Sequence, residues 1–156
     1  MFLRGFSSRL GTSRATLLIA GFLAGFLATL AFHQVMLMLL NELGPATLTA
    51  FVIQPTYPLG VPAVLSTAFW GGLWGVALTF VIKPIYSGAQ YWLFALLFGT
   101  FAPTLVAWFV VAPLKSMPIA AGWRIPPMAT TVLVNAAWAT GTALLLRWWL
   151  SRQSRA

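Results

Sequence analysis

The sequence predicts an all-α, polytopic membrane protein with four transmembrane helices. Of the 156 residues, 60% are apolar and only 6% are charged, a composition that cannot cover a water-exposed surface. Four apolar stretches are each long enough to cross about 30 Å of hydrocarbon as a helix. They lie at residues 15–40, 61–82, 91–112 and 127–149, and none carries an acid in its middle. They occupy most of the chain, so we expect residues 1–156 to form a single membrane domain.

The first stretch begins like a secretory signal, with a basic segment that contains Arg4, Arg9 and Arg14. Its apolar run continues to Leu40, well past the roughly 7 to 15 residues of a signal-peptide core. We therefore interpret it as an uncleaved signal anchor.

Basic residues predict the orientation. With four spans both termini share one side, and that side holds most of the positive charge, which marks the cytoplasm. The residues are Arg4, Arg9, Arg14, Lys83, Arg147, Arg152 and Arg155, against Lys115 and Arg124 on the other side. We expect both termini to be cytoplasmic, with outer connections at 41–60 and 113–126 and a cytoplasmic turn at 83–90.

The first outer connection contains an apolar segment at 46–53 that is too short to span a bilayer. It either lies along the membrane interface or enters the membrane as a re-entrant turn. Non-helical backbone at depth needs protein or water to satisfy it, so the sequence favours the interface.

Small residues at helical spacing predict where helices approach closely, because i, i+4 strips of Gly and Ala form smooth surfaces. Such strips serve either packing within one bundle or contact with another subunit. The glycines concerned are Gly21, Gly25, Gly71, Gly72, Gly75 and Gly141. Near mid-span, Trp70, Trp74 and Trp138 carry indole N–H groups that need partners in hydrocarbon, and we expect these rings to face protein.

The second and fourth spans hint at internal duplication. Without gaps, 61–83 aligns with 125–147 and places Pro62 on Pro126 and Trp74 on Trp138. Two parallel helical hairpins related by a pseudo-two-fold axis would explain the match. Chance similarity between apolar helices is the alternative, since the first and third spans match little beyond composition.

Few polar residues lie in the spans, and any ligand site or polar path would include them. His33 and Gln34 lie in the outer half of the first span, and Asn41 shares a helical face with His33. His33 has three interpretations: a neutral side chain hydrogen-bonded to a neighbouring helix, part of a polar path, or an axial ligand of haem or chlorin. The sequence otherwise implies no cofactor.

Two further polar residues complete this group. Glu42 is the only acid in the chain, and we expect its carboxylate to face water or to pair with Lys115 or Arg124. Asn135, in the fourth span, is expected to form an interhelical hydrogen bond, with Gln34 or a backbone carbonyl as acceptor.

Catalysis is not expected. The chain has no Asp or Cys, one Glu and one His, so it lacks a carboxylate pair, a triad and a protein metal cage. Nucleic acid is not an expected partner, because the net charge of +8 comes from basic residues in the tails and beside the spans, where they face lipid headgroups.

The segment Ala31-Phe32-His33-Gln34, together with residues 59–75, resembles a group of small, uncharacterised proteobacterial inner-membrane proteins with four helices. The resemblance implies a bacterial inner membrane and brings no settled activity.

Two functional classes fit the sequence. The first is a non-catalytic structural or accessory subunit, which binds the lipid bilayer and other membrane subunits or further copies of itself. The second is a small oligomeric channel or transporter with a polar path near His33, Gln34 and Asn135. A channel of four helices with so few polar residues would need symmetric assembly around His33.

Overall fold

The computed structural model describes residues 13–44, 48–82 and 88–153. Within these ranges the protein is helical apart from short connections, and four helices are long and apolar enough to cross a membrane. They are α1 (Arg14–Glu42), α2 (Ala63–Ile82), α3 (Ala89–Leu114) and α4 (Ile125–Gln153). The prediction of an all-α protein with four helices long and apolar enough to span a membrane is confirmed.

The helix ends differ from the predicted bounds by a few residues, because the predictions followed hydropathy alone. The Ser13 hydroxyl accepts a hydrogen bond from the Thr16 amide and caps α1, which adds Arg14 to the helix. Helix α4 begins at Ile125, before two prolines, which the first helical turn tolerates. Of the predicted turn at 83–90, residues 83–87 lie outside the described residues, and 89–90 are helical.

Both helices that run from the predicted inner side to the outer side contain a π-helical turn. In α1 it covers Thr29–His33, and in α3 it covers Ala107–Val111. A π turn inserts a residue into the helix and changes which side chains share a face below and above it. The two halves of α1 therefore present independent faces to their neighbours.

Two of the connections between helices contain short regular elements within the described residues. Before α2, strand β1 (Pro55–Thr56) pairs antiparallel with β2 (Val61–Pro62). Between α3 and α4, a short 3₁₀ segment at Ile119–Trp123 includes residues with left-handed backbone. These residues are Ala120, Ala121, Gly122 and Trp123.

Helices α1 and α2 pack backbone against backbone through four of the glycines. A Cβ atom added to Gly25 would lie 2.9 Å from the Cα of Gly75, and one added to Gly21 would lie 3.1 Å from the carbonyl oxygen of Gly75. An added Cβ at Gly71 would overlap the Thr29 hydroxyl. Only hydrogen fits at these positions, so the glycines set the distance between the two helices.

The remaining small residues pack either against an aromatic ring or against another small residue. The ring of Phe22 lies over Gly72, and the ring of Phe32 lies over Gly141. In the second hairpin, a Cβ on Gly99 would lie 2.5 Å from that of Ala139, a close approach that the sequence analysis missed. All six predicted glycines thus face a neighbour within this protein.

Two of the hydrogen bonds that join α4 to the other helices connect residues far apart in the sequence. The indole N–H of the buried Trp138 donates to the carbonyl oxygen of Gly25 at 3.0 Å. The hydroxyl of Tyr91, near the start of α3, donates to the carbonyl oxygen of Ala143 at 2.6 Å. The main apolar core lies around these contacts and includes Ala24, Ala28, Leu78, Ile82 and Leu146.

Replacing Gly25 with Val should separate α1 from α2, because the new side chain would occupy the space of the facing backbone. Overpacking of this kind costs about 1–3 kcal/mol or more, and it also moves the acceptor of the Trp138 bond. We expect a marked fall in thermal stability, measured by size-exclusion chromatography of heated detergent samples. The control is Ala129→Val on the exposed side of α4; equal stability of the two variants would contradict the assigned contact.

Candidate functional site

The polar side chains at the outer end of α1 hold the first outer connection. Gln34 is buried, at 5% exposure, and its Oε1 accepts a hydrogen bond of 2.7 Å from the backbone N–H of Phe51. Phe51 has left-handed backbone, with φ of +51°. The amide of Gln34 therefore satisfies an irregular backbone position that has no helical partner.

Asn41 forms a second contact of the same kind. Its Nδ2 donates to the carbonyl oxygen of Leu48 at 2.8 Å. Gln34 and Asn41 lie about 10 Å apart along the helix axis, and the three residues from Leu48 to Phe51 span about 10 Å when extended. Residues 48–51 thus run down the side of α1, held at both ends by amide side chains.

The depth of this segment follows from the α1–α2 register. Because Gly25 faces Gly71 and Gly75, antiparallel packing places Gln34 level with the first turn of α2. The N–H groups of Ala63 and Val64 in that turn donate to the carbonyl oxygens of Gln54 and Val52. The segment therefore reaches the start of α2 and packs beside the outer end of α1.

His33 lies at the end of the π turn beside this segment. Its Nδ1 is 3.4 Å from the Nε2 of Gln34, so the amide N–H donates to a ring nitrogen that carries no proton. Among the described residues, His33 forms no hydrogen bond to a neighbouring helix. The described residues also contain no group of three His, Cys, Asp or Glu side chains that could hold a metal ion.

Glu42 is exposed at the end of α1. Lys115 and Arg124 are both described, and neither forms an ion pair with Glu42 within the described part of the chain. The ion pair that the sequence analysis considered is therefore absent from the described residues.

Asn135 on α4 forms a hydrogen bond to a side chain on α3. Its Nδ2 donates to the Oγ1 of Thr104 at 2.8 Å, and that hydroxyl donates to the carbonyl oxygen of Thr100 at 2.6 Å. Pro103 lies between these two threonines and lacks an N–H. The interhelical bond thus supports α3 where its own hydrogen bonding is interrupted. Its acceptor is a threonine hydroxyl, and neither Gln34 nor a backbone carbonyl.

The structure brings Gln34, His33 and Asn41 together at one outer site and leaves Asn135 at a different helix contact. The contacts that the sequence analysis missed are the backbone of Leu48 and Phe51 and the hydroxyl of Thr104. A signal for Thr104 was present, because threonine hydroxyls inside spans are typical partners of amide side chains on neighbouring helices. For the backbone partners the sequence holds no signal.

The three mid-span tryptophans differ in environment. Trp138 is 3% exposed, and Trp74 packs edge to face against Phe98. Trp70 is 60% exposed and touches only Phe69 among the aromatic rings. The prediction that Trp70 faces protein is therefore wrong within this chain, because α2 turns that side away from the other helices.

Comparison with known proteins adds no relative: the chain matches no protein-family model, no curated protein and no solved structure.

Replacing Gln34 with Leu should release the outer segment, because the Phe51 N–H would lose its acceptor. Leaving a buried donor unsatisfied costs about 1–3 kcal/mol. We expect faster amide hydrogen exchange at residues 48–54, measured by mass spectrometry. His33→Leu is the matched control, since His33 accepts only from Gln34; the hypothesis of a Gln34 clamp fails if both variants exchange alike.

Proposed function

We propose that this protein is a non-catalytic structural or accessory subunit of a larger or homo-oligomeric membrane complex. The observation that carries the proposal is the use of its polar side chains. Gln34, Asn41, Asn135 and Trp138 each hydrogen-bond to another part of the same chain. These hydrogen bonds stabilise the fold itself. The outer surface of the helices that remains for contact with lipid or other proteins is mainly apolar.

Trp70 supports contact with another polypeptide. It lies about 10 Å along α2 from the outer helix end, at 1.5 Å per residue, and its indole has no hydrogen-bond partner among the described residues. An indole N–H at that depth gains free energy from an acceptor that acyl chains cannot supply. A carbonyl or hydroxyl on a neighbouring subunit would supply it.

A channel or transporter is the alternative, and the contacts give it less support. A polar path would need Gln34 and Asn135 to line one passage, yet they bond to the outer segment and to α3, respectively. A path through an oligomer would still have to converge on His33.

The chain belongs, in this proposal, to a bacterial inner membrane with both termini in the cytoplasm. The bias of basic residues supports the orientation. Internal duplication has one further point in its favour: the alignment that pairs Trp74 with Trp138 also pairs Gly75 with Ala139, and each of the latter forms the close helix contact of its hairpin.

Orientation can be measured with single cysteines, because the chain has none of its own. Tyr57 is 98% exposed at the tip of the β-hairpin, and Gln90 is exposed in the first turn of α3. In intact cells, a membrane-impermeant maleimide should label Tyr57→Cys and should label Gln90→Cys only after permeabilisation. The reverse pattern would place the termini outside.

Gentle detergent extraction followed by native mass spectrometry tests the function. We expect the protein in a defined complex, with itself or with other subunits, and we expect Trp70→Phe to reduce the intact fraction several-fold because the ring is kept and the N–H is lost. Trp123→Phe, at a similarly exposed ring in the outer connection, should leave the complex intact.

Two results would count against this function. A monomer in native membranes would remove the proposed role. A partner-free oligomer that conducts ions or solutes in liposomes would replace it with the channel or transporter.

A further inference from the structure

We propose that the end of the bundle where α3 begins and α4 ends binds the phosphate of an anionic phospholipid through Arg147 and Arg152, each of which lies over a tryptophan ring. This binding surface consists of Trp92, Arg147, Trp148 and Arg152. The inference does not rest on the proposed subunit function.

The first pair bridges two helices. The guanidinium carbon of Arg147, on α4, lies 5.9 Å from the centre of the Trp92 ring on α3. The relative position of α3 and α4 is fixed one helical turn before Arg147. There the hydroxyl of the buried Tyr91 donates a hydrogen bond to the carbonyl oxygen of Ala143. Trp92 also packs edge to face on Tyr91, with ring centres 5.3 Å apart. The ring under Arg147 is therefore held by the core.

The second pair lies on α4 alone. The guanidinium carbon of Arg152 lies 4.2 Å from the centre of the Trp148 ring, four residues earlier. Stacking over an indole face orients the plane of a guanidinium and leaves its N–H groups pointing outward. Two cations are thus presented at one end of the bundle with part of their side-chain entropy already lost.

Neither guanidinium has an anionic partner in the part of the chain that the structure describes. Within the described residues, Arg147 and Arg152 form no hydrogen bond or ion pair. The only acid of the chain, Glu42, lies at the far end of α1. Each guanidinium has five N–H donors in a planar fork, which matches the geometry of a phosphate diester.

The surroundings favour a phospholipid over a soluble anion. Trp148 is 53% exposed, and the apolar side chains of Leu93 and Leu144 are exposed beside the pairs on α3 and α4. Tryptophan with an exposed ring is typical of the headgroup level of a bilayer. A lipid can place its phosphate on the arginines and its acyl chains against the leucines, whereas a free anion would gain only the first contact.

Native mass spectrometry of the full chain, exchanged into micelles with equal phosphatidylglycerol and phosphatidylcholine, tests the proposal. The wild type should retain phosphatidylglycerol preferentially. One basic residue near an anionic surface contributes roughly a fivefold change in affinity, so Arg147→Gln and Arg152→Gln should each lower retention about fivefold, and the double variant further. Arg124→Gln is the matched control, because it removes an exposed arginine at the opposite end.

Two more samples test the mechanism. Arg147→Lys keeps the charge and loses the stacked fork, so we expect retention between that of the wild type and Arg147→Gln. Inorganic phosphate in excess should not displace the bound lipid. The proposal is overturned by equal retention of both lipids in the wild type, by an equal loss in Arg124→Gln, by wild-type retention in Arg147→Lys, or by displacement with phosphate.

Discussion

The contact between the glycines of α1 and α2 is the constraint on which the rest of the structure depends. Hydrophobic burial does not drive helices together in lipid, so close packing and interhelical hydrogen bonds must do it. Gly25 supplies both: its Cα faces Gly75, and its carbonyl oxygen accepts the indole N–H of Trp138 from α4. A larger residue would separate the first hairpin and withdraw the acceptor from the fourth helix, so one position couples three helices.

The same contact determines where the outer site forms. Helix α2 has 20 residues, about the length of one crossing, and α1 has 29. The glycine register leaves the last turns of α1 projecting beyond α2, with Gln34 at the base of that projection and Asn41 on it. Residues 48–51 can therefore run along α1 as far as the start of α2. The side chains of Gln34 and Asn41 bond to the backbone at the two ends of this segment. The amide clamps depend on the glycine contact more than 10 Å away.

Much of this fold could be predicted from the sequence, because hydropathy and i, i+4 spacing are local signals. The four spans and the six predicted glycines carried such signals, and the helix ends differed by a few residues, in part through the Ser13 cap of α1 and the prolines at the start of α4. The partners of Gln34 and Asn41 could not be predicted, since they are backbone atoms of an irregular segment. The exposure of Trp70 was missed because α2 is apolar on every side, which hides the direction of its core.

The two ends of the bundle are held by different chemistry. At the outer end, neutral amide side chains bond to backbone atoms, and such bonds do not depend on the lipid headgroup. At the other end, Arg147 and Arg152 lie on tryptophan rings in a chain that has one acid, so their remaining donors need phosphate or water. The phospholipid contact that we propose for the two arginines would therefore depend on lipid charge, whereas the amide hydrogen bonds that hold the outer segment would not.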